Sequence, residues 1–179
     1  MADQQAKPLT RSEREAILKD KSGLVIVIMA LLLAVTTYFS NSFSGQVLKN
    51  TLKATDTYAF YQSKSIKQAI AEGQRDDYVA RKDTAKAEKL QAKIDRYESD
   101  PATGEGKKEL LAKAQGYEKA RDDASKHSPW LTFAAMVFQL AIVLLSASIL
   151  AVSNKMYKAS FVVGAVGLLL LSQGIWLWF

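Results

Sequence analysis

The sequence predicts an all-α integral membrane protein: three transmembrane helices, with a helical, coiled-coil-like hairpin between the first and the second. Three observations carry that expectation. Hydrophobic residues make up 49% of the 179-residue chain but gather in three blocks almost free of charge. Between the first and second blocks lies a long stretch rich in Lys, Asp, Glu and Ala. Within it, small and apolar residues recur at helical spacing, interrupted once by a cluster of Pro and Gly.

Residues 1–22 read as a polar tail carrying Lys7, Arg11, Arg14, Lys19 and Lys21. The first span is placed at 23–43. Its most apolar part, GLVIVIMALLLAVTTY, is short against the ~20 residues that cross a bilayer core. Thr36, Thr37 and Phe39 extend it. A cleaved signal peptide is the competing reading of Leu24–Val35. The leader is long, however, and carries Glu13, Glu15 and Asp20, and no Ala-x-Ala site follows, so an uncleaved anchor is expected. The second span covers 129–152, with Pro129 in its first turn and Trp130 at headgroup level. The third covers 159–179 and ends in Trp176, Trp178 and Phe179. The linker SNKMYK between them is short enough to make these two spans antiparallel neighbours.

Small residues recur four apart at Ala30 and Ala34, Ala147 and Ala151, and Ser160 and Gly164, with Gly167 following. Such spacing lets backbones approach closely, so Gly164 and Gly167 are candidate helix contacts. Gln139 lies near the middle of a span, where its amide requires a partner: a facing helix or a second copy of itself. Gln173, nearer an end, is expected to reach water. No charged residue lies inside any span, so an ion or proton pathway is not indicated.

The region between the spans divides into an amphipathic helix, 44–73, and a hairpin, 74–128. The hairpin is expected to go out along 75–99, turn at DPATGEG (100–106) and return along 107–126. Since the chain re-enters the membrane near 129, residues 44–72 are expected to lie along the membrane surface or against the hairpin base. Leu48, Leu52, Ala59, Ile66 and Ala69, with Val47 and Ile70 beside them, form an apolar helical stripe. Thr55 and Gln62 interrupt it, and Gly73 is the expected break.

The stretch TDTYAFYQSKSIKQ, 55–68, holds the candidate interaction motif: Asp56, Tyr58, Phe60, Tyr61, Gln62, Lys64 and Lys67. The plain reading is an interfacial aromatic anchor with snorkelling lysines. The sharper readings are a self-association surface, or a site for an anionic lipid headgroup built from Lys64 and Lys67. Packing is favoured over ligand binding, since aromatic and amide clusters suit helix interfaces. This motif, with YEK at 117–119 and FQLAI at 138–142, resembles a bacterial membrane family known as a domain of unknown function, DUF4337. The family's run is aromatic-Ala-aromatic-Tyr-Gln-x-Lys preceded by an acid. Tyr58 stands where Trp is more usual, and the tail here is shorter and poorer in His. The resemblance covers nearly the whole chain from Gly23. It implies a polar tail, one span, a charged helical region and two closely linked spans, and it implies no activity.

The lysines and arginines of the tail, with Lys155 and Lys158, fall on one side of the membrane. The positive-inside rule then puts the amino terminus in the cytoplasm of a bacterial inner membrane, with the hairpin and carboxyl terminus periplasmic. The chain has no cysteine and a single histidine, His127. No cofactor or metal site is indicated. Asp76–Asp77 and Asp122–Asp123 sit among basic neighbours as solvated faces. The net charge of +6 is not gathered on one face, so nucleic acid is not an expected partner. The expectation is a non-enzymatic, self-associating scaffold or accessory subunit of a membrane complex, whose partners are the bilayer and a homo-oligomer or larger assembly. The rivals are a channel or transporter subunit lined by Gln139, Ser146 and Ser148, and a lipid-modifying enzyme using Tyr61 and Lys64.

Overall fold

The structure is a computed structural model that describes residues 10–178, the side chain of Arg14 excepted. Lys7, the Arg14 side chain and Phe179, which enter the expectations above, lie outside the described residues. Five α-helices form among those residues: α1 (Arg11–Ala80), α2 (Thr84–Glu98), α3 (Lys107–Ser125), α4 (Ser128–Leu150) and α5 (Asn154–Trp176). Three helices are long and apolar enough to cross a membrane: α1, the run that ends in α4, and α5. The chain divides into two compact units. Unit one holds the described residues up to Ser44 and those from Ser125 onward, and unit two holds Gly45–Ala124.

Helix α1 begins inside the predicted polar tail. Thr10 and Glu13 form a reciprocal cap: the Thr10 backbone N–H donates to Glu13 Oε2 at 2.7 Å, and the Glu13 N–H donates to Thr10 Oγ1 at 3.4 Å. This is a capping box at Thr-x-x-Glu spacing, which satisfies donors the helix itself leaves open. The helix then continues through both 43 and Gly73 without a break. Residues 44–73 are therefore not a separate helix.

In unit one the chain runs up, down and up. Phe43 stacks on His127, at the start of α4, with ring centroids 4.1 Å apart and planes 6° from parallel. His127 Nδ1 donates to the Gly174 carbonyl near the end of α5, at 2.7 Å. Met29 lies against Gly164 in α5. Hence α4 opposes both α1 and α5. Its buried face is Leu131, Ala134, Phe138, Ala141, Leu145 and Ser148, spaced three and four apart as one helical stripe requires. Leu171 and Met29 complete the core. The outer faces are apolar too: Leu24, Val27, Leu31, Val143, Val162 and Leu169 are exposed. Only 17, 28 and 33% of the most apolar windows of the three long helices is buried, so the chain does not cover its own hydrophobic surface.

Two expectations change in this unit. The segment SNKMYK is not a loop. Ser153 caps α5 by accepting from the Met156 N–H at 3.5 Å, and Asn154 onward is helix. Gln173 does not reach water. It is buried, and its Oε1 accepts the Trp178 N–H at 3.0 Å beyond the helix end.

Unit two holds the larger difference. Side-chain pairs place α2 and α3 one after the other along α1, instead of side by side. Tyr78 meets Lys86, Arg75 meets Gln91 and Lys64 meets Tyr97, so α2 runs back along residues 64–78. Tyr61 meets Lys107, and Tyr58 meets Glu118, so α3 continues the return. The 15 residues of α2 and 19 of α3 match the ~35 that α1 contributes to this unit, at ~1.5 Å each. The reversal sits at 81–83, where Asp83 N–H bonds to Tyr78 O at 2.9 Å and Lys82 N–H to Val79 O at 3.0 Å. That pattern closes a helix with a left-handed residue, here Lys82 at φ 59°. The segment around Gly104 bends the return path without reversing it.

Two substitutions test these contacts. A Cβ at Gly167 would lie 2.8 Å from a ring carbon of Phe138, which is fully buried and has no room to yield. Gly167→Ala is expected to cost about 1–3 kcal/mol as overpacking, read as a lower melting temperature in detergent. Lys82→Gly is expected to raise it, by relieving about 1 kcal/mol of left-handed strain. An unchanged or lower value would place the reversal elsewhere.

Candidate interaction surface

Helix α1 in unit two presents two opposite faces, and the motif is divided between them. Ala54, Tyr58, Tyr61, Ser65, Gln68 and Ala71 lie on the face that meets α2 and α3, buried or half-buried. Ala54 and Ala71 are the small members that let the helices approach. The neighbouring helices bury few large residues, chiefly Ile94 and Leu110. Aromatic stems and amides fill the remaining space, and their polar tips find partners at the rim.

Tyr58 Oη donates to Glu118 Oε2 at 3.0 Å. That bond, first among the causes, pushes the phenol up from its ordinary value. Lys53 lies over the Tyr117 ring at 5.2 Å, and Lys107 over the Tyr61 ring at 5.9 Å. Lys64 sits between the rings of Phe60 and Tyr97, at 5.3 and 5.7 Å, and pairs with Glu105 Oε2 at 3.5 Å. The ammonium is therefore held by two ring faces and one carboxylate. Glu118, Tyr97, Tyr117, Lys107 and Glu105 complete the motif. Of these, Tyr117 and Glu118 belong to YEK, which the family resemblance marks in the sequence. The other pairings depend on where the chain reverses.

Asp56, Gln62 and Lys67 face outward, and Phe60 lies on the flank. The apolar stripe of α1 is also outward. Leu48, Leu52, Ile66 and Ile70 are exposed by 62, 56, 62 and 57%. Leu48, Leu52, Thr55, Ala59, Gln62, Ile66 and Ala69 repeat at alternating steps of four and three, with Ile70 beside the last, and each is exposed. The stripe is thus a free helix face in coiled-coil register. Two shallow depressions adjoin the motif. One, of about 410 Å³, is lined by Lys64, Lys89, Lys93, Arg96, Tyr97 and Asp100. The other, of about 320 Å³, includes Asp56, Phe60, Glu105 and Lys113.

In unit one, Gly164 meets Met29 and Gly167 meets Phe138. Gln139 is exposed, on the outer face of α4. Ser146 shares that outer face, whereas Ser148 is buried and bonds to Leu145 O at 2.7 Å. Gln139, Ser146 and Ser148 therefore do not line one surface.

Four carboxylates in unit two are held below their ordinary values. Glu109 is lowered by the Ser99 hydroxyl, then by the Asp100 N–H. Glu98 is lowered by Lys107, Asp83 by Lys86, and Asp100 by Thr103 and then Arg96. A carboxylate depressed in the folded state contributes stability above its unfolded pKa and loses it as pH falls through the folded value. Unit two is therefore expected to melt at progressively lower temperature as pH drops below about 4.5. Tyr58 acts at the other end, since its raised pKa makes its contribution vanish only in strong alkali. Circular dichroism melts from pH 6 to 3 check this, and Glu109→Gln is expected to flatten the acid limb.

No curated protein and no solved structure matches the chain. Residues 18–177 match the family described as a domain of unknown function, DUF4337. That match spans all five helices save the start of α1, and the chain belongs to the DUF4337 family.

Proposed function

We propose that this protein is a non-enzymatic scaffold or accessory subunit of a complex in the bacterial inner membrane. In this reading α1, α4 and α5 cross the bilayer and the chain self-associates. Its helical region, α2 and α3 folded back on α1, stands outside the membrane and carries the docking surface. The observation that carries the proposal is the free stripe of Leu48, Leu52, Ile66 and Ile70. A helix that has already buried one face and still presents a second apolar face in coiled-coil register is suited to receive another helix. The inward half of the motif fixes the helices, and the outward half, with Gln62 at its centre, is offered to the partner.

The proposed orientation keeps the amino terminus cytoplasmic, with the helical region and carboxyl terminus periplasmic. Lys19 and Lys21 lie at the same end of unit one as Lys155 and Lys158, because α1 and α5 run in one direction there. One positive end suits the positive-inside rule. An anionic lipid headgroup beside Lys64 and Lys67 is less well supported, since Lys64 is already occupied by Glu105 and two rings.

A Leu52→Lys, Ile66→Lys double variant separates docking from folding. Both side chains are exposed, so the helical spectrum is expected to stay unchanged. The complex extracted from native membranes is expected to lose mass, either as fewer copies or as a missing foreign subunit. A complex of unchanged mass and composition would remove this face from the proposal.

A further inference from the structure

Helix α4 carries a second free face, in unit one. The outward positions Thr132, Met136, Gln139, Val143, Ser146 and Leu150 are all exposed and repeat at steps of four and three. The first five lie two residues before the buried positions Ala134, Phe138, Ala141, Leu145 and Ser148. At about 100° per residue, a displacement of two turns a side chain to the reverse of the helix. The polar members Thr132, Gln139 and Ser146 fall seven apart. Two of them are satisfied within their own helix: Thr132 Oγ1 donates to Ser128 O at 2.9 Å and Ser146 Oγ to Ile142 O at 3.0 Å. The Gln139 amide has no hydrogen bond among the described residues. It sits midway along a 23-residue helix in which no residue is charged.

In water an exposed glutamine needs no account. On a helix that crosses a bilayer, the same amide faces hydrocarbon, which supplies neither donor nor acceptor. We propose that this face of α4 packs against the same face of a second copy, parallel and in register, with the two Gln139 amides hydrogen-bonded to each other. The occupant follows from the hydrogen-bonding complementarity of the amide. Copies inserted in one membrane with one topology bring their α4 helices together in parallel, about an axis along the membrane normal. A residue near that axis meets itself. A carboxamide carries both a donor and an acceptor, so it is its own complement, whereas a charged side chain would repel its copy. Met136 and Val143 flank the amide by three and four residues and supply the apolar knobs, while Thr132 and Ser146 leave room for close approach.

The inference rests on α4 crossing the membrane and on the self-association proposed above. The absence of cysteine makes it directly testable in the full chain. Single cysteines are placed at Met136 and Val143 on the seam, at Val162 and Leu169 on the outer face of α5, and at Leu52 in unit two. Each variant is oxidised in native membranes and read as crosslinked dimer. The expected result is strong dimer at Met136→Cys and Val143→Cys and little at Val162→Cys and Leu169→Cys. Adding Gln139→Leu is expected to weaken association about threefold to tenfold, the usual range for an interhelical side-chain hydrogen bond in a membrane. Equal crosslinking at the α5 sites, or no effect of Gln139→Leu, overturns the α4 seam. Dimer at Leu52→Cys alone overturns the seam while leaving self-association intact. Dimer at none of the five sites overturns both.

Discussion

A helix that reverses direction must leave its hydrogen-bond ladder, and the residue at the reversal takes a left-handed backbone to close the last turn. The arrangement of both units hangs on where this occurs. In unit two it occurs at Lys82, and in unit one at Val152, with φ of 59° and 48°. Both ends show the same pair of bonds, Asp83 N–H to Tyr78 O with Lys82 N–H to Val79 O, and Ser153 N–H to Ser148 O with Val152 N–H to Ile149 O. Glycine usually fills such positions because a Cβ is penalised there. Neither position is glycine. What stabilises the reversal instead is the residue that follows: Asp83 and Ser153 each cap the next helix at once, through Lys86 N–H and Met156 N–H. One helix therefore ends and the next begins within three residues, which forces the second to fold back on the first.

This explains which parts of the architecture were legible in the sequence. The three apolar blocks and the all-helical character follow from composition and periodicity, and they need no knowledge of turns. The reversal in unit two was not legible by the usual punctuation. Gly73 lies exposed within a continuous helix, whereas ARKDT, with neither Gly nor Pro, holds the turn. The cap signal was present in Asp83–Thr84 but is weak in a segment full of acids. A turn at 100–106 pairs α2 with α3 and hides the role of α1 as their common partner. The start of α1 is hidden for a related reason, because the capping box at Thr10 and Glu13 begins a helix in polar sequence.

The faces of α1 were harder still. Helical periodicity locates an apolar stripe but not what covers it. Leu48, Leu52, Ile66 and Ile70 make the better hydrophobic stripe, yet they are exposed, and Tyr58, Tyr61, Ser65 and Gln68 turn inward. Rings tolerate this because their faces meet ammonium groups and the Tyr58 hydroxyl meets a carboxylate at the rim, while their bodies replace aliphatic packing. Each such contact is worth little in an exposed setting, so the inward face is held by many small terms. The two glutamines of the apolar helices α4 and α5 show the same limit. Gln173 is buried against its own chain and Gln139 is not. Both are amides in apolar helices, and only the packing of neighbouring helices distinguishes them.

The free faces follow a common logic. A fully apolar seam gives strong association with poor discrimination of register, since hydrophobic contact has no direction. One amide within such a seam lowers affinity but penalises every register in which it is left unpaired. Gln62 on α1 and Gln139 on α4 are both exposed, with apolar residues at three or four positions to either side, as the proposed seams require. The loss of affinity matters less for a membrane protein than for a soluble one. Confinement to a plane with fixed orientation raises the effective concentration of the partner, so modest contacts suffice once the geometry permits them.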